Sequence, residues 1–235
     1  MFRTLCVLLT FASPSFASDD FRPLFDGESL DGWTQRGGEA HYTVAPEAPG
    51  GAQIVGTSVA NTPNSFLCTD RDYADFVLEF EVKVDPTLNS GVQFRSECYD
   101  KPTTKEVKGS NGEVSERKFP AGRVHGYQAE IDPSDRSWSA GVYDEGRRGW
   151  LFTLDGDEHA DARAAFDRRG WNHYRIEAVG PQITTHINGV KAADFTDSQT
   201  AEGFIALQVH SIGSKSQEGA QVRWRNIRIK EVQAE

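Results

Sequence analysis

The residues with the clearest chemical potential are Gly126 to Asp132, Gly-Tyr-Gln-Ala-Glu-Ile-Asp. In an extended strand, successive side chains point to opposite faces, so Gln128, Glu130 and Asp132 share one side and Tyr127, Ala129 and Ile131 the other. Two further stretches repeat the pattern. In Asn89 to Arg95, Gly91, Gln93 and Arg95 oppose Val92 and Phe94; in Phe204 to His210, Ala206, Gln208 and His210 oppose Ile205, Leu207 and Val209. Three such polar faces are expected to line one open groove. Glu130 beside Arg95 would stay ionised at neutral pH, and a nearby His210 could hold or deliver a proton, which is the equipment for general acid and base catalysis. Taken singly, each residue also has an ordinary reading: a surface strand carboxylate, a paired surface arginine, a structural histidine at a strand end. The amides of Gln93, Gln128 and Gln208 both donate and accept, which matches the hydroxyls of a sugar. Trp138, Tyr143 and Trp150 could stack on a sugar ring or simply fill the core. Glu130, Asp132 and His210 could hold a divalent cation if they converge; no other cofactor is expected.

Familiar catalytic signatures are absent. The chain has no Gly-x-Ser-x-Gly elbow, no phosphate-binding Gly-Lys-Ser/Thr loop, no Gly-x-Gly-x-x-Gly and no His-Glu-x-x-His.

Strands must position these side chains. Phe76 to Val84 puts Phe76, Leu78, Phe80, Val82 and Val84 on one face and Glu79, Glu81 and Lys83 on the other, as a solvated sheet would. Gln182 to Ile187, Asn188-Gly189 and Val190 to Phe195 read as a hairpin, because Asn-Gly accepts the positive φ of a two-residue turn. Tyr99 to Arg123 has no sustained period and is expected to be a long loop overhanging one end of the groove. At most one helical turn is expected, near Ala162 to Phe166. About a dozen short strands without alternating helices predict an all-β fold, two packed antiparallel sheets in a jelly-roll-like sandwich. No second domain or repeat is visible, so residues 18–235 are read as one domain.

Residues 1–17 look like a signal peptide: Arg3, the apolar run Leu5 to Ala12, and small residues at Ser15-Phe16-Ala17. The expected product is exported, periplasmic or extracellular. There Cys68 and Cys98 could form a disulfide, the reading preferred here, or remain two buried thiols. No window resembles a membrane span. The net charge of −10 opposes nucleic acid and anionic lipid but not neutral sugars.

Eight motifs then occur in order: Leu24 to Trp33 (Leu-Phe-Asp-Gly-Glu-Ser-Leu-Asp-Gly-Trp), Tyr73 to Phe76, Asn89 to Arg95, Gly126 to Asp132, Trp171 to Ile176, Ile187 to Val190, Gly203 to His210 and Arg225 to Lys230. Together they resemble the 3-keto-disaccharide hydrolase family, formerly domain of unknown function 1080, over residues 20 to 232. The resemblance implies a concanavalin-like jelly roll, related in fold to laminin G-like modules. It also implies cleavage of glycosides already oxidised at C3 by a separate sugar dehydrogenase. A C3 ketone acidifies the C2 proton, so a base can form an enediolate, the C1 aglycone can leave, and water can add across the resulting glucal. On this resemblance Glu130 is the base or a metal ligand, His210 the proton donor to the leaving oxygen and Arg95 the enolate stabiliser. Gln93, Gln128, Asp132, Tyr143 and Gln208 position the sugar. A non-catalytic carbohydrate-binding module on the same fold is the alternative. A conventional two-carboxylate glycosidase using Glu130 with Asp132 or Glu79 ranks last, since carboxyls side by side on one strand do not flank a glycosidic bond.

Overall fold

The computed structural model describes residues 20–109, 112–213 and 215–232; the expected signal peptide lies outside them. The first sheet contains β1 (Arg22–Pro23), β3 (His41–Ala45), β4 (Gln53–Thr57), β6 (Phe76–Val84), β13 (Asn172–Val179), β14 (Gln182–Ile187), β15 (Val190–Thr196) and β17 (Gln221–Glu231). Its order is β15-β14-β13-β6-β17-β4-β3, with β1 also on β17. The second sheet contains β2 (Trp33–Gly37), β5 (Ser65–Tyr73), β7 (Ser90–Glu97), β10 (His125–Ile131), β11 (Val142–Glu145), β12 (Gly149–Phe152) and β16 (Gly203–Val209), in the order β12-β11-β10-β7-β16-β5-β2. All pairings within both are antiparallel. A short helix, α1 (Ala160–Ala165), packs against β14 and β15 at the edge of the first sheet.

This is the expected all-β sandwich, and alternation explains it. Phe76, Leu78, Phe80 and Val82 of β6 point inward with Tyr127, Ala129 and Ile131 of β10, Val92 and Phe94 of β7, and Ile205, Leu207 and Val209 of β16, forming one apolar cluster between the sheets. Glu79 faces outward from the first sheet, bound by Arg175 and Arg228, so it cannot share a site with groups on the outer face of the second. At the β14–β15 turn Asn188 and Gly189 have φ of 48° and 83°, as the Asn-Gly pair requires. Tyr174 ties core to site: its ring stacks on Phe80 with centroids 5.0 Å apart and its hydroxyl donates to the Glu130 carbonyl at 3.1 Å. Truncation to alanine would cost about 3–5 kcal/mol and release that carbonyl.

Tyr99 to Arg123 is not the irregular loop expected. It contains a hairpin of its own, β8 (Thr103–Lys108) and β9 (Val114–Phe119), whose solvent-facing polar residues on both sides leave no apolar period to read. Its root lies over the second sheet, where Val124 and Cys98 pack on Phe66 and Phe204. Its strands bind the β11–β12 turn and the 197–200 segment, through Arg148 to the Lys108 carbonyl at 3.0 Å and the Gln199 amide to the Glu106 carbonyl at 3.1 Å. Cys68 and Cys98 are free thiols, so the disulfide alternative does not hold.

Candidate active site

β10, β7 and β16 are neighbours, and their register aligns Gln128 with Gln93, Glu130 with Gly91, and Gln208 with Gly91. The outer face of this trio floors a pocket of about 680 Å³ lined by Gln128, Glu130, Asp132, Tyr143 and His210 among others. Five of the expected residues therefore do meet.

Glu130 sits at the floor, 5% exposed. Its Oε1 accepts from Asn89 Nδ2 and its Oε2 from Gln128 Nε2, both at 2.8 Å. Burial raises its pKa to about 7, against the opposing hydrogen bonds of Asn89 and Gln128. Asp132, on the same face, behaves oppositely. Burial works to raise it, but hydrogen bonds from the Ser134 and Trp138 amides and Arg136 outweigh that and hold it below the usual carboxylate value. Two neighbouring carboxyls thus differ in proton affinity, one ionised and one poised to exchange a proton, a pattern that separates acid and base roles.

Arg136 reaches back from the β10–β11 turn. Its Nε donates to Asp132 at 2.8 Å, its Nη2 lies 3.6 Å from Glu130, and its guanidinium lies over Trp138 and Trp150 at 4.7 and 5.0 Å. On β11, Tyr143 lies beside Trp150 with ring centroids 5.3 Å apart. Further along, Glu145 accepts from Arg123 at 2.6 Å; burial raises its pKa, while Arg123, His210 and Asn64 oppose the rise. Glu145 pairs with Gly126, four residues from Glu130 along β10, or about 13 Å at the usual strand rise. The pocket therefore has two carboxyl-bearing ends. His210 follows β16 and is half-buried. Its Nδ1 lies 2.7 Å from the Ser211 carbonyl; a carbonyl only accepts, so Nδ1 carries the hydrogen and Nε2 is the nitrogen that can exchange a proton with a ligand.

Residues 20–230 match the 3-keto-alpha-glucoside-1,2-lyase-like domain. The chain belongs to that family. No curated protein sequence matches it. Among solved structures it is similar to a candidate glycosyl hydrolase from Parabacteroides distasonis ATCC 8503, at 15% identity over 93% of this chain and 98% of the other, TM-score 0.54. It is also similar to a Bacillus subtilis protein of unknown function with a galectin-like fold, at 9% identity over 90% of this chain and 94% of the other, TM-score 0.53. At these identities the likeness is one of fold, a two-sheet sandwich of galectin or jelly-roll type. Family membership supports a carbohydrate-active function.

Within this family member, Arg95 is the clear departure from expectation. Its φ is +44°, and the β7 register shifts at this point against both neighbours. This bulge breaks the alternation, so Ser96 takes the outer position, donating to Gln93 Oε1 at 2.9 Å. Arg95 is 1% exposed and turns to the end of the sandwich, bonded to Asp75 at 2.8 Å and to the Ala74 and Gly180 carbonyls at 2.7 Å each. It is not beside Glu130, and the expectation that Glu130 stays ionised at neutral pH on its account is corrected with it. Gln93 and Gln208 are on the expected face but wholly buried beneath Gln128, out of a ligand's reach. Among the described residues no group of three His, Cys, Asp or Glu side chains is arranged to hold a metal ion; Arg136 occupies the approach to Glu130 and Asp132.

Asn89, Arg136, Arg123, Glu145 and Asn64 were not among the expected site residues. Asn89 directly precedes β7 and Arg136 stands four residues after Asp132, so proximity in the chain was a usable signal for both. Glu145 sits in a charged turn-like run, Asp144-Glu145-Gly146-Arg147-Arg148, which reads as solvent-facing.

Proposed function

We propose that this protein is an enzyme that cleaves glycosides oxidised at C3, by a lyase route followed by hydration. The observation that carries the reading is Glu130: a buried carboxyl opening onto a polar pocket, with a pKa near 7. That is the affinity a general base needs at neutral pH, and a protein that only binds sugars gains nothing from it. Membership of the 3-keto-alpha-glucoside-1,2-lyase-like family supports this choice of substrate class.

In this reading Glu130 takes the C2 proton. The electron pair of the C2–H bond forms an enediolate with the C3 carbonyl and then the C1–C2 double bond as the C1–O bond breaks. Protonated His210 gives its Nε2 proton to the leaving oxygen. Water then adds its oxygen to C1 and passes its surplus proton to His210 Nε2, while Glu130, whose proton has exchanged with solvent through the pocket, protonates C2. Arg136, held beside Glu130 by Asp132, takes the role expected of Arg95 and supplies positive charge at the enolate oxygen. Trp150 and Tyr143 offer a ring face to the oxidised sugar. The far end, with Asn64, Arg123 and Glu145, receives the aglycone. A dehydrogenase that oxidises sugars at C3 must act first, and the leader-like sequence of residues 1–17 supports a site of reaction outside the cytoplasm.

The test is to incubate purified protein with a 3-keto-disaccharide and, separately, with its unoxidised parent. Release of the aglycone from the keto sugar alone supports the proposal. Saturable binding of both without cleavage makes the protein a carbohydrate-binding module instead.

A further inference from the structure

Four buried side chains, two in the pocket floor and two beneath it, form a directional hydrogen-bond chain. Ser96 Oγ donates to Gln93 Oε1 at 2.9 Å, Gln93 Nε2 donates to Gln128 Oε1 at 2.6 Å, and Gln128 Nε2 donates to Glu130 Oε2 at 2.8 Å. A branch joins from β16, where Gln208 Nε2 donates to the same Gln128 Oε1 at 2.8 Å. We propose that Ser96, Gln93 and Gln208 are positioning residues whose work is to lock the Gln128 amide with its NH₂ toward Glu130, and so to keep that carboxyl usable as a base. The inference rests on the role of Glu130 proposed above.

Amide geometry gives the lock its direction. A flip of Gln128 would turn its NH₂ onto two other NH₂ groups and its oxygen onto a carboxylate, losing three hydrogen bonds at once. Rotating Gln93 to accommodate it would give up the hydrogen bond its oxygen accepts from Ser96 and turn that hydroxyl to the longer contacts with the Phe94 and Tyr127 carbonyls, at 3.2 and 3.3 Å. Gln208 Oε1 is buried without a hydrogen-bond partner, so that amide sacrifices one end to donate with the other. Gly91, between the two strands, supplies the room: a Cβ there would stand 2.5 Å from Gln128 Cδ, so the amide lies flat against a backbone that only glycine leaves open. An assembly meant to grip hydroxyls would expose its amides. Here Gln93 and Gln208 are 0% exposed.

A donor to a carboxylate favours its charged form. Removing the lock frees Gln128 to present its oxygen and leaves burial to raise the proton affinity of Glu130 further. Gln93→Leu should shift the Glu130 titration midpoint upward by about one pH unit, lowering turnover about tenfold near pH 6 and leaving it nearly unchanged near pH 9, at constant KM.

The midpoint is read without substrate, from ¹³C NMR of protein labelled at the glutamate carboxyl, with Glu130→Gln identifying the signal. Ser96→Ala removes only the first link and serves as the second variant should Gln93→Leu fail to fold. An upward shift in either folded variant supports the relay. An unchanged midpoint in every variant that folds overturns it, as does a raised KM at all pH values, which would return the amides to sugar contact. A shifted midpoint in a protein that leaves 3-keto-disaccharides intact would sustain the relay while removing the proposed reaction.

Discussion

Glu130→Gln should change the pH dependence of stability in a calculable way. The folded protein raises this carboxyl from 4.5 to about 7, so it holds the proton more tightly than the unfolded chain. The stability this provides is fully present below about pH 4.5 and is lost as pH rises through 7. Each unit corresponds to about 1.4 kcal/mol, so close to 3 kcal/mol disappears between roughly pH 4 and pH 8. Glutamine has no proton to lose. Its amide also meets the donors Asn89 and Gln128, which shifts the variant's stability by an amount independent of pH. The difference between variant and wild type, from urea unfolding at a series of pH values, isolates the titration: Glu130→Gln should gain about 3 kcal/mol relative to wild type from pH 4 to pH 8. In thermal unfolding this is roughly 6–12 °C for a chain of this size. Parallel profiles would refute the reasoning, because they would mean that Glu130 titrates like an exposed carboxyl.

His210→Ala should lower turnover of 3-keto-disaccharides about 100- to 10,000-fold and should matter far less when the aglycone is a nitrophenol, which leaves without a proton; initial rates on both substrates check this. Arg95→Met should destabilise the fold by roughly 3 kcal/mol, as removal of one partner from a buried ion pair does, while activity per folded molecule stays within about twofold of wild type; denaturant titration with active-site normalisation separates the effects. With both thiols free, melting curves with and without reductant should superimpose, and Cys98, half-buried, should react with a thiol reagent in the folded protein while buried Cys68 reacts only on unfolding.

The period of two along β10 made Gln128, Glu130 and Asp132 legible as one face, and the same rule on β7 and β16 correctly grouped Gln93 and Gln208 with them. It failed at Arg95, where a non-glycine residue at positive φ introduces a bulge that no residue type announces. Depth was also hidden. Alternation tells which face a side chain occupies but not what lies over it, so Gln93 and Gln208, expected to touch sugar, are sealed beneath Gln128. The β8–β9 hairpin escaped notice because a ribbon with water on both faces needs no apolar stripe. Arg136 and Glu145 lie in or beside turns, and their inward orientation depends on partners from other elements, Asp132 and Trp150 for one, Arg123 and Asn64 for the other.

The central claim is that Glu130 removes the proton at C2, and isotopic labelling at that carbon tests it most directly. A 3-keto-disaccharide carrying deuterium at C2 should react more slowly than its protiated twin, lose that deuterium to solvent during turnover by wild type, and retain it in the presence of Glu130→Gln. Aglycone release with the C2 deuterium fully retained by the wild-type product, and with no isotope effect, would contradict the account.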